Sequence, residues 1–210
     1  MKKTFFAITL FLAFSKAALA QFGNCTASEM RTYVDSATGN TITMLTDTMK
    51  NDRFLYQTDP MWTADGKYLL FRSSSRGNDK EVESTLPNGE KRKWTPTQIY
   101  FIEMTTGKII QATEGPNLGS AFLANKTNRM FVSRKEKENW NMYVMDLNKF
   151  FADVKQGKVG KPSAYETFIG TFPTEMGRPG GYAVDCNDDY AYITVEREGT
   201  EEEKERMMKN

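Results

Sequence analysis

Apolar runs separated by short polar turns set the rhythm of this chain. One phrase opens with Met61-Trp62-Thr63, turns at Ala64-Asp65-Gly66-Lys67, and continues as Tyr68-Leu69-Leu70-Phe71. Asp-Gly between two apolar runs predicts a tight β-hairpin. The phrase returns in weaker form at Ala121–Val132 and again at Gly181–Ile193, at intervals of about sixty residues. A third predicted strand follows twice, at Gln98–Glu103 and Met142–Leu147. A second phrase, Glu103-Met104-Thr105-Thr106-Gly107 leading into Ile109–Thr113, predicts a turn and a fourth strand. It has a copy at Asp35-Ser36-Ala37-Thr38-Gly39 leading into Thr41–Thr46. Glycine supplies the positive φ that such a turn needs.

Each unit is thus four short strands in series, the pattern of propeller blades. Tyr68–Phe71 and Ile99–Ile102 are apolar at every position rather than alternately, as expected of strands sandwiched between neighbours. The fold class predicted is all-β, an incomplete β-propeller of about two and a half four-stranded blades. A β-sandwich of repeated hairpins is the alternative, and the order of the turn phrases favours the propeller. The blades span roughly 58–115, 116–170 and 180–210, within a propeller portion covering 31–210. Residues 41–46 read as the last strand of a further blade whose other strands are missing. Trp62 is expected in a blade core. Residues 77–97 form a polar insertion with a Pro87-Asn88-Gly89 turn. Residues 148–165 form a second insertion, with two helical turns over 148–155. Residues 196–210 are charged, with Glu202–Arg206 and Glu205–Lys209 spaced to support a solvated helix.

Propellers close with four to eight blades, so two and a half leave strand edges and apolar faces open. The expectation is therefore the N-terminal part of a longer protein. Closure by several copies is disfavoured, because half a blade makes a poor repeating subunit.

The N-terminus adds a compartment. Lys2 and Lys3 precede an apolar run from Phe5 to Phe14, and Ala18-Leu19-Ala20 offers small residues where a signal peptidase reads. This predicts a signal peptide over 1–20, cleavage after Ala20, a flexible leader over 21–30, and a secreted or periplasmic protein. The run is too short to span a bilayer, and no later one is long enough. Removing the segment takes three lysines and no acid from 28 basic and 27 acidic residues. A near-neutral chain carries no electrostatic footprint for nucleic acid, and no membrane contact is expected after cleavage. Cys25 and Cys186 are expected to be two unpaired thiols. The chain has no histidine, which excludes a histidine base, a histidine-ligated metal and a Ser-His-Asp triad built from it.

The remaining candidate chemistry is basic and aromatic. Arg72 and Arg76 follow the second strand of the first blade. Arg134 and Lys135 hold the similar place in the second, and Arg197 in the third. Sharing one face, they would ring one mouth and pair bidentately with carboxylates. Trp94 and Trp140, near loops, are candidates to stack on sugar rings. The expected partner is an acidic oligosaccharide.

The strings Asp35–Thr46, Asp65–Phe71, Ile109–Gly115 and Gly180–Glu196 together resemble the oligogalacturonate lyase family, seven-bladed propellers related in blade pattern to TolB. The resemblance covers most of residues 31–197. It implies β-elimination on short pectin-derived galacturonides: a base removes the proton beside the uronate carboxylate and the glycosidic oxygen leaves. It also implies a histidine base and a manganese ion held by histidines and a glutamine in later blades. None of these can be placed on this histidine-free chain, so no catalytic or metal residue is assigned to it, and alone it is expected to be inactive. The 77–97 insertion departs from shorter members. A non-catalytic TolB-like propeller that binds a protein or glycan is the competing reading. A peptidase accessory domain would need a hydrolase domain after the last blade.

Overall fold

The computed structural model of the chain describes residues 22–77, 80–85, 89–172 and 178–196. The predicted signal peptide, the tip of the first insertion and the charged tail with Arg197 lie outside the described residues. In chain order the strands begin with β1 (Cys25–Thr26), β2 (Arg31–Val34), β3 (Thr41–Met44), β4 (Asp52–Arg53) and β5 (Tyr68–Ser73). Then come β6 (Val82–Thr85), β7 (Lys91–Trp94), β8 (Gln98–Glu103) and β9 (Ile109–Gln111). After them run β10 (Leu118–Leu123), β11 (Arg129–Glu136), β12 (Asn139–Asp146), helix α1 (Leu147–Gln156), β13 (Glu166–Phe172), β14 (Arg178–Val184) and β15 (Ala191–Glu196).

The described residues are all-β apart from α1 and one short 3₁₀ turn, and every strand pairing is antiparallel. A first sheet has the order β4-β5-β8-β9-β1, a second β10-β11-β12-β13, and a third β14-β15. The hairpins β2-β3 and β6-β7 stand as separate pairs. The same hydrogen-bonded turn opens the second strand of each large unit: Thr63 N–H to Tyr68 C=O, Ala124 to Arg129, Asp185 to Tyr190. The repeat read from the sequence is therefore a repeat of backbone bonds.

The apolar clusters lie between sheets in series. One face of the first sheet (Tyr68, Leu70, Ile99, Phe101, Ile110) packs with Ala121, Leu123, Met130 and Met145 of the second. Its other face (Phe71, Tyr100, Ile102, Ile109) receives Leu45 and Met104. The second sheet's far face (Phe122, Phe131, Met142) meets Tyr182, Val184 and Ile193 of the third. This is why the strands are apolar at every position: each face has a neighbour.

Helix α1 is capped by Asp146, whose side chain accepts the Lys149 N–H, and ends at Gly157 in the left-handed region. Its Phe150 and Phe151 are buried, and Phe151 stacks on Tyr68 at 3.6 Å between ring centroids. The predicted two helical turns are thus part of the core joining the first two sheets.

Four expectations need correction. The leader is not flexible throughout: Phe22 is buried, and Cys25 and Thr26 pair with Ile110 and Ile109 as an outermost strand. Residues 41–46 are not a lone strand, because β3 pairs with β2 across Thr41↔Val34 to Met44↔Arg31. Trp62 is half-exposed rather than core, held by a single bridge to Leu69. The edge of the first sheet is instead β4, whose Asp52 and Arg53 pair with Ser73 and Arg72. Both cysteines are exposed and unpaired, as expected.

Candidate functional site

The first strands β4, β10 and β14 of the three sheets converge on a cleft of about 650 Å³. Its lining includes Asn51, Arg53 and Tyr56 around β4, Arg72 from β5, Arg92 and Trp94 from β7, and Gly119–Phe122 from β10. Gly180–Tyr182 of β14 close the third side.

Arginines dominate this cleft. Arg53 and Arg72 are direct cross-strand partners. Like charges placed opposite one another on adjacent strands repel, so the pair is unfavourable until something neutralises it. Neither has an acidic partner among the described residues; Arg53 Nε donates only to Asn51 Oδ1, at 3.3 Å. Arg92 reaches the same cleft from the insertion hairpin, where it pairs with Ser84. Asp59 also lines the cleft, leaving cations in the majority. Trp94 is partly exposed and Tyr56 largely so. Flat exposed rings beside guanidinium groups suit a sugar whose faces are apolar and whose carboxylates are charged.

The close packing of side chains from β11 and β12 against β10 needs glycine. A Cβ on Gly119 would stand 2.6 Å from Trp140 Cζ3 and 2.4 Å from Ser133 Oγ. Trp140 therefore packs behind the strand that lines the cleft and not in the cleft itself.

Two predicted site arginines are committed elsewhere. Arg76 is nearly enclosed, with 6% of its side chain exposed, and donates to both oxygens of Glu29 and both of Asp52. Burial disfavours its charge, but these two carboxylates outweigh that and raise its pKa, while its hydrogen bonds lower that of Glu29. Arg134 makes a bidentate pair with Glu166 and lies over the Tyr143 ring. Lys135 is exposed on β11, outside the cleft lining. Arg76, Arg134 and Lys135 thus lie outside the cleft lining, the two arginines being paired with acids distant in sequence. Arg72 and Trp94 are in the cleft; Arg53, Arg92 and Tyr56 were missed. Arg53 sits outside the repeated phrases, and Arg92 lies in an insertion whose hairpin pairing is not visible as alternation.

For manganese the donor set does not fit. The chain has no histidine, and no three Cys, Asp or Glu side chains converge among the described residues.

Serial antiparallel sheets with an arginine-lined cleft at their first strands define an all-β protein of propeller-like layout. In keeping with that, the fold is similar to an oligogalacturonate lyase in complex with manganese, with a TM-score of 0.54 at 20% identity. That match covers 80% of this chain and 36% of the other. A crystal structure of an oligogalacturonate lyase from Vibrio parahaemolyticus gives a TM-score of 0.53 at 21% identity, over 79% of this chain and 35% of that one. The chain thus spans little more than a third of the structures it resembles. No family model matches the sequence, and no curated protein matches it.

Proposed function

We propose that this chain is an exported part of an oligogalacturonate-lyase-like β-propeller, and that its arginine cleft binds acidic oligosaccharides of the oligogalacturonide class. The sheets are successive blades, and β4, β10 and β14 are the axial strands. The observation that carries the reading is the cross-strand couple Arg53–Arg72, which has no acidic partner among the described residues, joined by Arg92 and Trp94 at the converging strands. Uronate carboxylates supply the negative charge this couple lacks. Bidentate guanidinium contacts give orientation, and Trp94 gives the sugar ring a stacking surface.

The lyase reaction needs a base for the proton beside the carboxylate and positive charge to stabilise the carbanion-like state. Arginines of the cleft can supply the second. A histidine base and histidine-held metal would have to come from polypeptide other than this chain. The absence of histidine gives one specific argument for a second reading, a propeller that binds uronides without cleaving them. Two assays separate these. Replacing Arg53, Arg72 and Arg92 together by Ala is expected to weaken oligogalacturonide binding at least tenfold. Unchanged binding removes the proposal. Appearance of the unsaturated product's ultraviolet absorbance on incubation with trigalacturonate supports the lyase; binding without product supports the second reading.

A further inference from the structure

The insertion hairpin β6-β7 stands apart from the three sheets, its two strands pairing only with each other among the described residues. Its register sets Val82 opposite Trp94 and Ser84 opposite Arg92, with Glu83 opposite Lys93 and Thr85 opposite Lys91. Side chains alternate along a strand. Val82, Ser84, Arg92 and Trp94 therefore share one face, and Glu83, Thr85, Lys91 and Lys93 the other. Of the first face, Arg92 and Trp94 line the cleft. The second face carries a solvated ion pair, Lys91 Nζ to Glu83 Oε1 at 2.7 Å. No residue of either strand is buried. A hairpin that buries so little adds little hydrophobic stabilisation, yet this one holds an arginine and a tryptophan at a cleft built by other elements.

The cations of the cleft thus come as two groups on separate supports. Arg53 and Arg72 are directly opposite each other on β4 and β5. Side chains so placed start about 5 Å apart, and one carboxylate can bridge them. Arg92 stands two residues from Trp94, about 7 Å along the strand. A ring lying on the indole can turn its carboxylate to that guanidinium. Three arginines against one aspartate, Asp59, leave two positive charges in the lining. One uronate carries one negative charge, and two linked uronates carry two. The cleft volume, about 650 Å³, lies in the range of sites that enclose ligands larger than one sugar.

We propose that the insertion hairpin is a second uronate subsite, through which the cleft selects by chain length. Arg53 and Arg72 clamp the carboxylate of one residue, and Arg92 with Trp94 hold the neighbouring residue. Galacturonate alone settles at the Arg53–Arg72 clamp, where two guanidinium groups meet one carboxylate. A linked pair uses both groups, and its second contact is intramolecular, at high effective concentration. The inference rests on the reading of the cleft as a uronide site, and adds which element reads the second residue.

The test is a titration of the chain with galacturonate and with digalacturonate, followed by amide chemical shifts. Digalacturonate is expected to bind at least about tenfold more tightly, the yield of one further charged contact. It alone is expected to shift the amides of β6 and β7. Arg92→Ala with Trp94→Ala is expected to bring its affinity down to that of galacturonate, which itself stays unchanged. Lys91→Ala with Lys93→Ala removes charge of the same sign from the opposite face, and is expected to leave the length preference intact. All four side chains are exposed, so the fold should survive either change. Equal affinity of the wild-type chain for the two acids overturns the inference. So does an equal loss from the lysine and the Arg92–Trp94 substitutions, since the hairpin then acts as diffuse charge. So does a loss of galacturonate binding as large as that of digalacturonate in the Arg92–Trp94 variant, since the cleft is then one undivided site. In these three cases the uronide reading stands. No binding of either acid defeats that reading and removes this inference with it.

Discussion

Arg72 and Arg76 leave the same strand end with opposite fates. Arg76 is enclosed by Glu29 and Asp52, and removing one partner of such a group leaves charges uncompensated. Arg76→Ala is expected to destabilise the fold by about 3 kcal/mol, read from denaturant unfolding. Arg72→Ala is expected to change stability by less than about 0.5 kcal/mol while weakening uronide binding. Nothing in the local sequence separates the two, because the acids that claim Arg76 come from before and within β4. Two aspartates tie neighbouring sheets together. The Asp65 N–H donates to Asn128 Oδ1, and Asp188 accepts from the N–H groups of Asn125, Lys126 and Thr127 at 2.6–2.8 Å. Burial tends to raise both carboxyls, but the hydrogen bonds win: Asp65 is lowered to about 2, and Asp188 also falls below its ordinary value. A lowered folded-state pKa means stabilisation present above the unfolded value, near 3.9, and lost as pH falls through the folded one. Amide protection in β14 and β15 is therefore expected to fall below about pH 4, and Asp188→Asn to weaken it at neutral pH and flatten that dependence. Protection that is equal in the variant at every pH would contradict the clamp.

At the scale of elements, hairpins were legible wherever an Asp-Gly or Thr-Gly turn separated apolar runs, because those residues fix the local backbone. Elements defined by partners far along the chain were not. Strand β1 has only two residues and exists because β9 offers an edge. The insertion hairpin β6-β7 is almost fully polar, so no alternation marks it, yet it carries Arg92 and Trp94 to the cleft. Helix α1 was readable as two turns, but its burial was not. Phe150 and Phe151 look like an apolar patch on a charged segment until the sheets they join are present. Phe151→Ala removes the stack on Tyr68 and the edge contact with Phe101. It is expected to cost about 3–5 kcal/mol, measured as a lowered unfolding midpoint. A change below about 1 kcal/mol would mean that the helix is peripheral to the core.

On the scale of the molecule, the series of sheets is what the repeat encodes: turn bonds recur at 63–68, 124–129 and 185–190, and clusters alternate with sheets. A repeat specifies the next neighbour, so the layout was visible while the end pieces were not. The cleft arises at the same scale, since no single sheet contains it; Arg53 and Arg72 from one sheet acquire walls only when β10 and β14 stand beside them. The selectivity proposed for it rests on charge. Attraction between exposed guanidinium groups and carboxylates is screened by salt, so binding should weaken as ionic strength rises. The most direct measurement is a calorimetric titration of the chain with trigalacturonate and, in parallel, with the uncharged galactose trisaccharide. The account predicts salt-sensitive binding of the acid and at least tenfold weaker binding of the neutral sugar. Equal affinity for the two, or no heat with either, would contradict it.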